Sequence, residues 1–429
     1  MSGVPEPFAP VHDADPYPLL AGLREAGPIH LCRMPDGQRV WLVVRHAEAR
    51  QVLLDPRMSK DPRNARPEWQ AANRGNPLAD RSVLGPNLGV VDPPDHTRLR
   101  RLVSRAFGPA RVEGLRSHVR DLVDDLVDGL TGRARADLVA AFAEPLPSIV
   151  ICRLLGVPAG DRRGFRGWVR DIVSAEPGAD QGVLAERRHD ASLRLGSYLG
   201  KLTEAKRADP GDDLISDLLK AHDDGDRLTA DELQSMLFVL LIGGYETTLN
   251  LISSGVLRLC EAGLWRAVGA SPELAGPAVE ELLRFDNSVK TTFWRFPKVD
   301  VAVGDVVVGA GEPLMVSLAA VNRDPAANAV PDRFVLHRAD RRHLGFGLGP
   351  HYCVGAPLAR LEAEVALEAL TRRCPELRVT AAPEILAWHH SPIIRGVREL
   401  PISPGRVRAR ASRAGELSDA SATGPKTDG

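Results

Sequence analysis

The strongest constraint this chain places on its own fold is a helical period carried through residues 230–261. Apolar residues recur there about every three to four positions, and shorter runs of the same kind occupy 97–107, 112–130, 185–206 and 357–373. Strand-like alternation is confined to two places. One is QRVWLVV at 38–44; the other is VDVAVGDVVVGAGEPLM at 299–315, where Gly-Asp and Gly-Ala-Gly punctuate apolar residues as in hairpins. The pattern predicts a mainly α body with small β-sheets, an α+β fold. No repeat and no linker divides the chain, so 1–405 reads as one domain. From Arg406 onward too few large apolar residues remain to offset ordering entropy, which predicts a disordered tail over 406–429.

Composition narrows the function classes. Hydrophobic residues at 44% and charged residues at 26% suit a globular protein. Basic residues (55) nearly balance acidic ones (56), so there is no electrostatic case for nucleic acid or an anionic membrane. The most apolar uninterrupted run, 236–242, falls well short of the ~20 residues of a membrane span. The first twenty residues lack a basic segment followed by an apolar one, so no signal or transit peptide is expected and a cytoplasmic location is. Five scattered cysteines, never in a CxxC pair, indicate neither a disulfide framework nor a structural zinc site.

One cysteine stands apart. FGLGPHYCVG at 346–355 sets Cys353 in a glycine-rich loop directly before the helical pattern APLARLEAEVALEAL. Glycines let backbone turn tightly and approach a flat ligand, while the positive end of the following helix favours a thiolate. A lone cysteine is otherwise a small buried hydrophobe, which is the reading kept for Cys32, Cys152, Cys260 and Cys374. Further upstream, LLIGGYETTLNLI places Gly243 and Gly244 inside a helix, where each costs about 1 kcal/mol relative to Ala, next to Glu246 and Thr247. By themselves these are equally a surface Glu and a Thr bonded to its own backbone. Glu281 and Arg284 form an ExxR pair on one helical face, commonly no more than a solvated ion pair, and PDRF follows at 331–334.

Together these motifs resemble the cytochrome P450 superfamily, in order and across roughly residues 10 to 402. Its haem signature FxxGxHxCxG is matched at Phe346, Gly349, His351, Cys353 and Gly355. The resemblance is to soluble actinobacterial hydroxylases of macrolides and secondary metabolites. It implies the cytochrome P450 fold, one triangular-prism-like domain with haem b between the long central helix and the helix after Cys353. Haem ligation by a Cys thiolate is a standing example of such chemistry. By resemblance Cys353 is the iron ligand, Phe346 and Gly347 line the cofactor, and His96, Arg100, Arg295 and His351 bind its propionates. Arg suits this task because its fork binds a carboxylate bidentately. Thr247 and Glu246 carry protons to dioxygen, with the glycine pair permitting a local helix opening; Tyr245 stands where His is commoner. Glu281, Arg284 and Arg333 form a structural network.

The same resemblance puts Leu88, Val90, Val239, Ile242, Gly243, Thr291, Phe293, Ile393 and Ile394 around the substrate, a bulky hydrophobic natural product of polyketide or macrolide type. No flavin or ferredoxin module is appended, so electrons are expected from NAD(P)H through an external ferredoxin reductase and ferredoxin. Arg98, Arg101, Arg105 and Arg360 offer cations for that docking, and a monomer is expected. Hydroxylation is the leading reaction, with epoxidation and oxidative coupling open. The rivals are a haem-based sensor or carrier, which has no use for the Glu246–Thr247 pair, and a peroxide-driven enzyme, in which an Arg or carboxylate anchor replaces it.

Overall fold

The structure is a computed structural model and describes residues 3–74, 85–173, 181–220 and 228–410. Its axis is the helix Ala230–Glu261, 32 residues long and unbroken. Thr229 starts it with a capping box: the Thr229 hydroxyl accepts from the Glu232 N–H while the Glu232 carboxylate accepts from the Thr229 N–H. An 18-residue window of this helix is long and apolar enough to cross a membrane, contrary to the expectation from uninterrupted runs, but two thirds of it is buried inside the protein (67%). Leu237, Leu241, Ile252 and Val256 are fully buried, so the apolarity belongs to the core.

Around this axis pack Pro145–Leu154, Ala275–Phe285 and Ala356–Arg373. A Cβ at Gly255 would lie 3.1 Å from both Leu282 and Leu367, so the glycine lets three helices meet closely. The period over 112–130 resolves into Pro109–Gly114 and Arg116–Asp128, and that over 185–206 into Gln181–Ala208. The outer layer also holds Asp95–Ala106 and Arg162–Val173.

The small sheets lie to one side. Ile29–Arg33 pairs antiparallel with Arg39–Val43, which pairs parallel with Leu314–Val316 in the register Trp41↔Leu314. Val301–Val303 and Val306–Val308 form the expected hairpin, turning at Gly304 with φ +59. Near the C-terminus Pro401–Ser403 pairs with Ala136–Asp137 and Arg378–Val379.

The expected boundary at 405 falls too early. The Arg408 N–H donates to the Arg373 carbonyl at 2.8 Å, and Arg410 pairs with Asp125 and Asp128 at 2.5 Å each. Acidic residues at the end of Arg116–Asp128 supply partners that composition does not reveal. The remainder of the predicted tail, 411–429, lies outside the described residues.

Candidate active site

Two exposed patches interrupt otherwise buried elements. On the central helix, Gly243 is exposed and Ile242, Glu246 and Thr247 are half-buried, although the helix on either side is core. A Cβ at Gly243 would meet nothing within 4 Å. The second patch is Cys353, exposed although it opens a buried helix. The helix after Cys353 packs on the central one, so the two patches lie on neighbouring elements.

The cysteine loop is built by short backbone bonds. The Cys353 N–H donates to the Phe346 carbonyl at 3.0 Å, and Tyr352 N–H to Gly349 O at 3.0 Å. Gly347 and Gly349 adopt φ +75 and +78, a region that disfavours side chains, and a Cβ at Gly349 would press to 2.9 Å from the Leu53 carbonyl. Burial pushes the Cys353 thiol up, opposed by the Gly355 N–H, Arg100, the Ala356 N–H and Arg360. Burial outweighs those four, so the thiol stays above its ordinary value, contrary to the expectation that the following helix favours a thiolate. Among the described residues no three His, Cys, Asp or Glu side chains cluster to hold a metal.

Beside the cysteine lies a buried cationic cluster. The ring centroids of His96 and His351 lie 4.0 Å apart. Arg295 (4% exposed) and Lys60 (7%) make no side-chain hydrogen bond or salt bridge among the described residues; Asp92 is the acid that acts on both, and Lys60 lies over the Phe293 ring. Burial pushes Arg295 down to about 10, and burial together with Arg295 pushes Lys60 well down. Burial, Lys60, His96 and Arg295 hold His351 down at about 2, so it is a neutral donor, and its ring bonds the Leu88 backbone. Arg100 Nη1 donates to the Tyr352 carbonyl at 2.5 Å. Asp92 accepts from Ser59 Oγ at 2.6 Å and the Lys60 N–H at 2.8 Å and pairs with Lys298 Nζ at 3.4 Å. Burying uncompensated cations is costly, and an anionic ligand relieves it. Asp92 is itself paired with Lys298, so Lys60, Arg100 and Arg295 are the cations left to meet carboxylates here. A flat dicarboxylate with a thiolate-seeking metal, as haem is, fits this donor set. Lys60 was absent from the residues expected here; a lysine in SKDPRN carries no local signal.

On the facing helix, the Thr247 hydroxyl donates to the Gly243 carbonyl at 2.5 Å. The helix stays regular across Gly243 and Gly244, so the expected local opening is not present; a Cβ at Gly244 would make only ordinary contact with Ile151, at 3.5 Å. Burial pushes the Glu246 carboxyl up to about 7. Tyr245 points into the core, its hydroxyl donating to Glu144 at 2.9 Å.

The structural network differs from expectation in one member. Arg284 grips Glu281 bidentately, both contacts 2.8 Å, and Arg338 grips it from the other side at 3.1 and 3.2 Å. The exposed Arg333 contributes only its carbonyl, which accepts from Arg284 at 3.0 Å. Five residues of chain carry the third arginine past the PDRF turn, so position in the motif misled the expectation. Burial would raise Glu281, but the two guanidiniums and the Val335 N–H hold it down.

The expected pocket residues divide. Val239, Val90, Ile393 and Ile394 are half-buried, and Leu88 is buried beside His351. Thr291 is 1% exposed with its hydroxyl committed to the Pro392 carbonyl at 2.7 Å, so it ties two segments together and is not free to line the pocket. Phe293 lies against Lys60, whose Nζ is 5.5 Å from its ring centre, which puts it with the cations. Among the docking cations, Arg98 pairs with Glu232, and Arg360 is held by Glu280 at 2.6 Å. Arg101 is exposed, and the Arg105 side chain lies outside the described residues.

A mainly helical fold with an exposed cysteine in a glycine-rich loop and buried cations beside it has the make-up of a haem-thiolate protein. A family model described as Cytochrome P450 matches residues 274–380. The chain is 43% identical over 408 residues to cytochrome P450 monooxygenase PikC of Streptomyces venezuelae, covering 94% of each chain. It is 39% identical over 399 residues to the mycinamicin IV hydroxylase/epoxidase of Micromonospora griseorubida, covering 92% of this chain and 97% of the relative. The solved structure of PksS, a polyketide synthase cytochrome P450 of Bacillus subtilis 168, matches with a TM-score of 0.85 at 34% identity, over 93% of this chain and 99% of that one. The chain belongs to the cytochrome P450 family. It is a haem-dependent monooxygenase that requires an external electron donor and a small-molecule substrate.

Proposed function

We propose that this chain binds haem b on the Cys353 thiolate and hydroxylates an unactivated C–H bond of a bulky hydrophobic natural product, of the polyketide or macrolide type, in secondary metabolism. The observation that carries the cofactor assignment is the buried cation set beside the exposed cysteine: Lys60, Arg100 and Arg295, with His96 and His351 as neutral partners. The relatives support the substrate class, since one acts on mycinamicin IV and another serves a polyketide synthase. The first of these is both hydroxylase and epoxidase, which keeps epoxidation as the second reading.

When bound, the haem supplies the redox chemistry that activates dioxygen. The residues of the chain position, dry and protonate. Phe346 and Gly347 belong to the Cys353 loop that would hold the haem, closed by the Cys353 N–H bond to the Phe346 carbonyl. Val239, Ile242, Ile393 and Ile394 supply apolar walls, which exclude water and orient a hydrophobic substrate. Glu246, near half-protonated at neutral pH, holds a proton and releases it. Thr247 carries a hydroxyl on the same turn, held by its bond to the Gly243 carbonyl, that would pass such a proton on. Consecutive helix positions do not face each other, so the transfer needs side-chain rotation or a bridging water.

Electrons come from NAD(P)H through ferredoxin reductase and ferredoxin, docking near Arg101 on the sulfur side. The protein works as a cytoplasmic monomer. The carbon monoxide difference spectrum of the reduced protein tests the reading: a thiolate band at about 450 nm supports it, and absence of haem from folded protein overturns it.

A further inference from the structure

Outside the candidate site, Asp286 is fully buried and accepts three donors: the Tyr17 hydroxyl at 2.5 Å, Arg258 Nε at 2.6 Å and Arg395 Nε at 2.5 Å. Each comes from a different part of the chain. Tyr17 begins the first α-helix, Arg258 lies near the end of the central helix, and Arg395 follows the two isoleucines assigned to the substrate wall. Arg395, 2% exposed, also donates to the carbonyls of Asp13 at 2.7 Å and Ala14 at 3.0 Å. Arg323 stacks 3.3 Å from the Tyr17 ring centre and 3.7 Å from that of Phe285, closing the hub with aromatic faces.

A buried pair of this kind is a poor source of stability compared with apolar packing, because desolvation cancels most of the attraction. What it does supply is a single geometry. The segment 391–396 shows what that geometry controls. Its residues are held on one side by the Lys290 N–H on Ile393 O at 2.7 Å, the Arg395 N–H on Ser288 O at 2.8 Å and the Thr291 hydroxyl on Pro392 O. On the other side Gly396 is pressed on Asn250, leaving no room for a Cβ, and Asn250 Nδ2 donates to the Glu246 carbonyl at 2.8 Å. The segment therefore runs from the buried hub to the turn of central helix that bears Glu246 and Thr247. Its only charged member is Arg395.

We infer that Asp286 and Arg395 are positioning residues for the monooxygenase reaction, fixing from outside the candidate site the register of 391–396 and with it the distance between the Ile393–Ile394 wall and the oxygen-handling turn of the central helix. Tyr17 and the Asp13–Ala14 carbonyls lock the hub, so the N-terminal segment takes part in shaping a pocket it does not line. The inference rests on the proposed haem site and pocket wall.

The test uses haem-loaded full-length protein and two iron-binding probes, imidazole and 4-phenylimidazole, titrated by the Soret shift. Imidazole needs only an accessible iron; its phenyl derivative also needs the wall in place. Asp286→Asn removes the charge that orders the hub, and Tyr17→Phe removes one hydrogen bond with little change of shape. In variants that keep the thiolate band with carbon monoxide, the 4-phenylimidazole Kd rises at least about fivefold for Asp286→Asn and at least about twofold for Tyr17→Phe, while the imidazole Kd stays within about twofold. Arg395→Lys, which keeps the charge on Asp286, loses less than Arg395→Ala. Equal weakening of both probes, or an unchanged 4-phenylimidazole Kd, overturns the inference. If Asp286→Asn yields no folded haemoprotein, Tyr17→Phe decides by the same two numbers. A wild-type protein without the thiolate band instead defeats the haem reading on which the inference stands.

Discussion

The imidazole centroids of His96 and His351 lie 4.0 Å apart with the rings tilted by 44°, each from a different element, with the buried cations Lys60 and Arg295 beside them. Burial and Arg100 push His96 down as burial and its neighbours push His351 down, so two neutral rings meet without repulsion. The charge available to an anion is then that of Lys60, Arg100 and Arg295.

Removing one of those charges loosens the cofactor. A charge-assisted hydrogen bond contributes about 1.5–3 kcal/mol, so Lys60→Ala speeds haem loss by roughly tenfold or more. Transfer of haem to apomyoglobin measures this, and an unchanged transfer rate removes Lys60 from the set. The thiolate band persists in this variant, whereas Cys353→Ala abolishes it.

Glu246 sets a pH limit on turnover. Its carboxyl, raised to about 7 by burial, is a proton donor only while protonated. Turnover supported by a proton-limited step falls as pH rises through about 7. Glu246→Gln lowers turnover by roughly a hundredfold and flattens that profile. Steady-state rates across the neutral range, at saturating redox partner, separate this from a structural role, which leaves the profile's shape intact.

The buried Glu362 affects stability through pH in a defined direction. It lies 2% exposed in the helix after Cys353, with Oε2 lacking a partner, and burial raises its carboxyl to about 8. The folded protein therefore holds a proton that the unfolded chain releases from about pH 4.5 upward. Stability is fully present below that pH and is lost progressively as pH rises through about 8. Glu362→Gln cancels the loss, stabilising the protein at pH 8.5 by a few kcal/mol (order of magnitude) and far less at pH 5. Thermal melts at the two pH values give the comparison.

Arg338 and Arg333 differ sharply on substitution. Arg338→Ala strips a buried carboxylate of one of its two guanidiniums and costs about 3–5 kcal/mol. Arg333→Ala touches an exposed side chain whose carbonyl does the bonding, and changes stability by about 0.5 kcal/mol or less. Urea denaturation of both variants tests the assignment; equal losses would restore Arg333 to the network.

Local pattern carried much of this protein. The period over 230–261, the hairpin around Gly304 and the loop before Ala356 are contained within short stretches of chain, and each was readable because neighbours in sequence remain neighbours in space. The order of the motifs was enough to name the family. Where a partner comes from far along the chain, that legibility ends. Lys60 joins Arg295 from 235 positions away, a separation visible in the numbering but not in any pattern. Arg338 displaces Arg333 because a side chain's direction depends on how the 331–338 turn folds back on Glu281. Thr291 and Arg410 likewise take roles set by the Pro392 carbonyl and by Asp125 and Asp128.

The sequence alone determined the main helices, the glycine-rich loop that presents Cys353 and the placing of Glu246 and Thr247 on the central helix, since these depend on periodicity, glycine freedom and short spacings. Only the tertiary structure decided which charges are buried together and which hydroxyls are already spent, because desolvation and hydrogen bonding act between groups that the chain brings into contact from distant positions.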